Sequence, residues 1–200
     1  MIDPTRFNQQ MDFLLEIDKL KQIQRRNLLL DGSRTESTAE HSWHIALLAC
    51  VLREYSDDPV NLEQVLLMLL VHDIVEIDAG DTYAYDETAN LDKEEREHQA
   101  ADRLFGLLPA DQSPLFHKLW LEFEAMQTAE SRFANAVDRL MPLWHNYYCG
   151  GTIWLENRIR KSQILKRMQP IQNGSRALWQ AAMQIVDRAI QDGYVLDDSE

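Results

Sequence analysis

The chain has 200 residues, is 45% hydrophobic and carries a net charge of −13, which is enough sequence for one domain with a full apolar core. The acidic excess argues against nucleic acid as a partner, because binding to its backbone needs a basic surface. Uninterrupted apolar runs reach about six residues, far short of the ~20 of a membrane span, and the N-terminus lacks a secretory signal, so we expect a cytoplasmic protein with no membrane segment.

Apolar residues recur at helical spacing along most of the chain and predict an all-α domain of about seven to nine helices. The sequence shows no alternating pattern typical of a strand. The predicted helices cover residues 7–24, 38–55, 62–77, 93–107, 114–125, 131–148, 158–168 and 175–192. Ser37 and Glu40 match a capping box at the start of the second helix. Loops are expected at 28–34 and 78–90, and residues 193–200 are expected to fray.

The predicted helix at 62–77 ends in a cluster of ionisable side chains. An apolar run leads directly into His72 and Asp73, and Glu76 follows. On a regular helix these three side chains lie at about 0°, 100° and 40° around the axis, so they share one face. Because buried ionisable groups are costly unless they are paired or bind a metal, the cluster is either a solvated helix end or a site. Imidazole and carboxylate together suit a divalent first-row metal.

Two further candidates lie elsewhere in the sequence. His41 falls in the first turn of the capped helix, and Asp138 falls inside an apolar helix, where an unpaired carboxylate would be costly. His44 follows His41 on nearly the same face; it is an alternative ligand, although a packed or hydrogen-bonded histidine is the more common finding. His145 has no recognisable partner spacing and is interpreted as structural.

The order His41, His72-Asp73, Asp138 resembles that of the HD-domain metal-dependent phosphohydrolases, and more closely their 5'-deoxynucleotidase branch. Three segments carry the resemblance: "RRNLLLDGSRTESTAEHSW", "HDIVEIDAGD" and "ANAVDRL". It implies a single HD domain over 1–200, with a metal-site core at about 34–145 and C-terminal helices at 158–192 packed on the same domain.

The resemblance also implies roles for individual residues. One divalent ion (Mn, Co, Fe, Mg, Ni or Zn) would be held by His41, His72, Asp73 and Asp138. Glu76 would accept a proton from the attacking water or orient it, and Asp81 would hold the leaving sugar hydroxyl or a neighbouring water. Arg26 and Arg34 would supply positive charge to the phosphate.

Two of these residues also have purely structural interpretations, and the sequence departs from the branch at one position. Asp81 could instead cap a turn, and Arg34 could pair with Glu36 or Glu40. The branch has a tryptophan after the arginine that matches Arg26, whereas this chain has Asn27. Among the nearby aromatic residues, Tyr83 or Tyr85 could replace that surface.

The resemblance implies an enzyme that releases phosphate from nucleoside 5'-monophosphates, with deoxynucleotides as candidates. One alternative is hydrolysis of a nucleoside triphosphate or a guanosine alarmone at the same metal; it is disfavoured because few basic residues are expected around the site. The other is a non-catalytic module that binds a metal or nucleotide. The expected partners are a small phosphorylated substrate and, by analogy with HD-domain relatives, a second copy in a homodimer.

Overall fold

The computed structural model describes residues 2–85 and 91–198, and it confirms the predicted all-α class. Within these residues, eight helices contain eight or more residues and three are shorter. The helices and strands are, in chain order, α1 (Pro4–Glu16), β1 (Gln24–Leu28), β2 (Thr35–Ser37), α2 (Thr38–Leu52), α3 (Leu62–Val71), α4 (Glu76–Ala79), α5 (Lys93–Phe105), α6 (Ser113–Ala125), α7 (Ala129–Tyr148), α8 (Thr152–Glu156), α9 (Lys161–Met168), α10 (Ile171–Gly174) and α11 (Arg176–Gln191).

An antiparallel hairpin of β1 and β2 precedes α2, where the sequence predicted a helix end and a loop. The first helix stops at Glu16 and continues only as a 3₁₀ turn over Ile17–Gln22. The hairpin turn is closed by the Leu29 amide, which donates to the Arg34 carbonyl at 2.9 Å. Strands this short, built largely of polar and charged residues, carry no apolar alternation, which is why the pattern did not reveal them.

The predicted helix at 62–77 is broken at the position of the ionisable cluster. After α3, residues His72–Val75 form a 3₁₀ turn, and α4 follows as a separate short helix that ends at Gly80. Because a 3₁₀ turn advances about 120° per residue, the angles expected from a regular α-helix do not apply to His72, Asp73 and Glu76. Their side chains are brought together by the break itself.

The 20-residue helix α7 lies at the centre of the fold, in contact with α2, α3, α6, α10 and α11. A capping box of Thr128 and Ser131 starts it, and Phe133, Val137 and Leu140 are fully buried. At Gly174 a side chain would collide with the backbone carbonyl of Arg132, so glycine allows α10 to lie directly on α7. The C-terminal helices therefore support the helix that carries Asp138.

The C-terminal segment differs from the frayed tail that the sequence predicted. Leu196 donates its amide to the Ile159 carbonyl at 3.0 Å, and Val195 is buried. The prediction of a frayed tail is therefore wrong as far as residue 198, and residues 199–200 lie outside the described residues.

Residues 86–90 of the loop predicted at 78–90 also lie outside the described residues. No helix among the described residues is long and apolar enough to cross a membrane.

Candidate metal centre

Four predicted ligands meet where α2, the 3₁₀ turn after α3 and α7 come together. Nε2 of His41 lies 2.9 Å from Oδ1 of Asp138, and Nε2 of His72 lies 3.7 Å from the same oxygen. The His72 nitrogen is also 3.0 Å from Oδ1 of Asp73. One ligand atom each of His41, His72 and Asp73 lies within 4.8 Å of the others. All four side chains are buried.

The two imidazoles are oriented by contacts on their far sides. Nδ1 of His72 donates to the carbonyl of Leu69 at 2.9 Å, which turns Nε2 toward the cluster. Nδ1 of His41 faces the Glu36 carboxylate at 3.5 Å. Nε2 of His72 is buried without a hydrogen bond of good geometry. An orphaned imidazole nitrogen among carboxylates fits a divalent first-row metal, which accepts this mixed nitrogen and oxygen donor set.

Both aspartates are held in the charged form that a metal ligand requires. Burial opposes ionisation of Asp138, but the hydrogen bond from His41 and the nearby charge of His72 overcome it and hold the pKa of Asp138 well below its ordinary value. Burial likewise opposes ionisation of Asp73, and the neighbouring charges of His72 and Arg25 lower its pKa. The carboxylates therefore do not have to lose a proton when a metal binds.

Arg25 lies at the centre of the acidic group, a position that its sequence context did not indicate. Its Nη1 donates to Oδ2 of Asp73 at 2.9 Å and lies 4.0 Å from Oε1 of Glu76 and 4.0 Å from Oδ1 of Asp81. β1 buries Arg25 among the carboxylates and leaves Arg26 more exposed, and both side chains line the cavity. The adjacent arginines were visible in the sequence, but without the strand nothing indicated which one is buried among the carboxylates.

Glu76 and Asp81 lie beside the ligands and have unusual electrostatic surroundings. Glu76 is buried and accepts a hydrogen bond from the Thr38 hydroxyl at 2.9 Å. Burial and the nearby charge of Asp73 raise the pKa of Glu76 well above its ordinary value. Burial also raises the pKa of Asp81, although Arg25 opposes the shift. Glu76 therefore binds a proton more readily than an ordinary carboxylate does, which suits a proton acceptor.

A cavity of about 190 Å³ opens beside these groups, with His72, Asp73, Glu76, Asp81 and Asp138 in its wall. The expectation of few basic residues around the site is wrong. The cationic side chains that line the cavity are Arg25, Arg26, Lys93, Arg139 and Arg167. Burial and the charge of Arg167 lower the pKa of Arg139 to about 10. An anion in the cavity would relieve that repulsion.

The two predicted phosphate-binding arginines have different surroundings. Arg26 lines the cavity and lies 5.6 Å from the centre of the Tyr83 ring. Arg34 is not brought to the cluster; its guanidinium pairs with the exposed carboxylate of Glu40 at 2.5 and 2.8 Å. The salt bridge that the sequence offered as the alternative for Arg34 is thus the one that forms.

Asn27, at which the chain departs from the nucleotidase branch, connects two elements of the fold. Asn27 donates its side-chain amide to the carbonyl of Pro142 at 3.2 Å and so attaches β1 to α7. Tyr83 and Tyr85 both line the cavity, with their rings edge to face and 5.4 Å apart. These tyrosines provide aromatic surface at the site without the branch's tryptophan.

Known proteins resemble this chain in sequence and in fold. Residues 17–179 match the model of a family described as the HD domain. A crystal structure described as a predicted metal-dependent phosphohydrolase from Magnetospirillum magnetotacticum MS-1 is 50% identical, with a TM-score of 0.92 over 98% of this chain and 100% of that one. The human protein 5'-deoxynucleotidase HDDC2 is 30% identical over 130 residues, which are 64% of this chain and 62% of that protein. An HD-domain phosphohydrolase from Listeria innocua, 19% identical with a TM-score of 0.60 over 90% of this chain and 85% of that one, shares the fold.

Replacement of Arg25 by methionine should destabilise the metal-free protein strongly. Removal of the cation leaves three buried or half-buried carboxylates uncompensated, which we expect to lower the free energy of unfolding by about 3–5 kcal/mol. Arg26→Met is the matched control and should cost less than about 1 kcal/mol, because Arg26 is exposed. Urea unfolding of both variants in the presence of a chelator measures the difference. Equal stability of the two variants would contradict this role of Arg25.

Proposed function

The chain belongs to the HD-domain family, and we propose that it is a metal-dependent phosphohydrolase that releases phosphate from nucleoside 5'-monophosphates, with deoxynucleotides among its substrates. The observation that carries this proposal is the convergence of His41, His72, Asp73 and Asp138 beside a cavity that also holds cationic and aromatic side chains, with all of them except His41 in the cavity wall. The likeness to proteins named phosphohydrolase and 5'-deoxynucleotidase supports it.

The four clustered side chains are the proposed ligands of one divalent cation. Their donor set is compatible with Mn²⁺, Co²⁺, Fe²⁺, Mg²⁺, Ni²⁺ and Zn²⁺. A metal ion held by these residues would supply a water of lowered pKa and would polarise a phosphoryl oxygen. Glu36 behind His41 and the Leu69 carbonyl behind His72 keep both rings turned toward the ligand cluster.

Glu76 is the proposed proton acceptor for the attacking water. Its carboxylate is buried beside Asp73, so its pKa is raised, and the hydroxyl of Thr38 fixes one of its oxygens. Arg25 lies 4.0 Å from both Glu76 and Asp81 and holds the two carboxylates on the same side of the cavity. Asp81 is therefore placed to contact the leaving sugar hydroxyl or a water next to it.

Substrate binding is assigned to the cationic and aromatic walls of the cavity. Arg26, Arg139 and Arg167 would supply positive charge for the phosphate, since guanidinium groups bind phosphate oxygens in pairs. Tyr83 and Tyr85 offer aromatic faces for the base or sugar. We do not assign Arg34 to the substrate, because its charge is already matched by Glu40.

The number of basic residues at the cavity favours a second candidate, hydrolysis of a nucleoside triphosphate or an alarmone at the same site. Five cationic side chains line the cavity, and three of them, Arg25, Lys93 and Arg139, lie within 4.0 Å of a carboxylate. The other two, Arg26 and Arg167, are the proposed source of charge for a second phosphate. The third possibility, a non-catalytic binding module, is disfavoured because a metal that only binds needs no spare buried carboxylate such as Glu76.

We also propose the extent of the domain, the extent of the metal-site core and the cellular location of the protein. The single HD domain over 1–200 is supported by the family match at 17–179 and by the packing of α10 and α11 on α7. The metal-site core at 34–145 contains all four proposed ligands. A cytoplasmic location is favoured by two cysteines that are both free thiols.

Homodimerisation is proposed through an exposed apolar surface on α2 and α3. Trp43, Leu47 and Val51 recur one helical turn apart on α2, and they are respectively 62%, 47% and 71% exposed. Leu67 and Leu70 on α3 are also exposed. Exposed apolar patches mark interaction sites. Because each chain carries a charge of −13, association of two copies requires an uncharged face such as this one.

Sedimentation equilibrium tests the dimer. The wild-type protein should have the mass of two chains, and the double variant Leu47→Lys/Val51→Lys should have the mass of one, because four lysines would be buried per interface. Leu14→Lys, at an exposed leucine of α1, is the matched control and should remain dimeric. A wild-type monomer at every concentration, or a double variant that stays dimeric, would refute the proposed interface.

Phosphate release by chelator-treated protein, reloaded with each divalent metal, tests the function. With a panel of ribo- and deoxynucleoside 5'-monophosphates we expect turnover only with metal. Glu76→Gln should bind metal as the wild type does. Its kcat should be roughly 10²–10⁴-fold lower, because this is the usual contribution of a proton acceptor to the rate. Asp78→Asn is the control, because Asp78 lies two residues away but is exposed and pairs with Arg103.

Two results would count against the proposed reaction. Full activity of Glu76→Gln would remove that residue from the mechanism. Absence of orthophosphate from every monophosphate, together with release of pyrophosphate or triphosphate from larger substrates, would establish the second candidate function instead.

A further inference from the structure

A second group of potential metal ligands lies behind the first. Glu36 in β2, His44 in α2 and His145 in α7 each direct one ligand atom to within 4.8 Å of the other two. This is the same spacing that relates His41, His72 and Asp73. The rings of His44 and His145 have their centres 5.6 Å apart. None of these three residues lines the cavity beside the first group.

The second group contains a buried polar atom that the protein itself does not satisfy. His145 is only 5% exposed, and its Nδ1 is buried without a hydrogen-bond partner. Glu36 is 2% exposed, and its one ion pair among the described residues is the 3.5 Å contact with Nδ1 of His41. An unpaired buried polar atom costs about 1–3 kcal/mol. A cation bound by these residues would compensate the charge of the buried Glu36 carboxylate.

We propose that Glu36, His44 and His145 form a second binding site for a divalent transition metal. Two imidazoles and one carboxylate are a donor set that Zn²⁺ takes at sites with three protein ligands and a water. Three atoms at most 4.8 Å apart have a common centre at most about 2.8 Å from each, so shifts of roughly 0.7 Å or less give the ~2.1 Å bonds of zinc. Side chains can move by this amount without a change of the backbone.

Support of His41 by Glu36 does not by itself explain this arrangement. A carboxylate behind a metal-binding histidine is a common orienting contact, and it accounts for the position of Glu36. It does not account for the convergence of His44 and His145 on the same carboxylate, nor for the unpaired Nδ1 of His145. The carboxylate has two oxygens, so it can contact His41 and a second metal at the same time. Glu36 thereby connects the two sites.

The number of zinc ions bound per chain tests the second site without reference to activity. Metal-free protein is titrated with Zn²⁺ against a competing chromophoric chelator, and bound zinc is counted after desalting. We expect two zinc ions per chain for the wild type and one for His44→Gln and for His145→Gln. His98→Gln is the matched control and should still bind two, because His98 is exposed and outside both groups.

Further variants identify which ion is lost. His72→Gln should also bind one zinc, and the double variant His72→Gln/His44→Gln should bind none. Because His44 is half-buried, its replacement disturbs the fold less than replacement of the buried His145, and circular dichroism verifies that each variant is folded. Visible absorption of Co²⁺-loaded His72→Gln should disappear when His44→Gln is added. A wild type that binds one zinc per chain, or a His44→Gln protein that binds two, would overturn the proposal.

Discussion

Several carboxylates buried at one point in an apolar interior need compensation by positive charge, and the arrangement of the fold follows from that constraint. Asp73, Glu76 and Asp138 are each less than a tenth exposed, and such groups are expensive to bury without cations. The protein supplies Arg25, which lies within 4.0 Å of the carboxylates of Asp73, Glu76 and Asp81. The imidazoles of His41 and His72 supply the other polar contacts. The remaining side of the cluster faces a cavity, where a metal ion and an anionic substrate would complete the compensation of charge.

The elements that break helical regularity are the ones that build this site. The β hairpin turns Arg25 inward, which a continuous helix through residue 24 and a loose loop would not do. The 3₁₀ turn after α3 places His72 and Asp73 side by side, with Nε2 and Oδ1 3.0 Å apart. Asn27 then attaches the hairpin to α7 through Pro142, so the arginine and Asp138 keep a fixed relation. Local departures from regular structure are commonly found at functional sites.

Both the long helices and the four candidate ligands could be predicted from the sequence, but the two predictions depended on different features. Apolar periodicity and the capping box at Ser37 predicted the helices, because their burial requires a continuous apolar face. The ligand set depended on the resemblance to a family, since His41 and Asp138 are far apart in sequence. Arg25, Arg139 and Arg167 were missed because their approach to the cavity depends on tertiary packing. The same holds for the group of Glu36, His44 and His145, whose members lie on three different elements.

Anomalous diffraction from crystals of the protein loaded with Mn²⁺ or Co²⁺ determines whether the four proposed ligands hold a metal. We expect a strong anomalous peak enclosed by Nε2 of His41 and His72 and by carboxylate oxygens of Asp73 and Asp138, with the peak lost in Asp73→Asn crystals. Absence of a peak at that position under saturating metal would show that this cluster is not a metal site, even if ions were found elsewhere on the molecule.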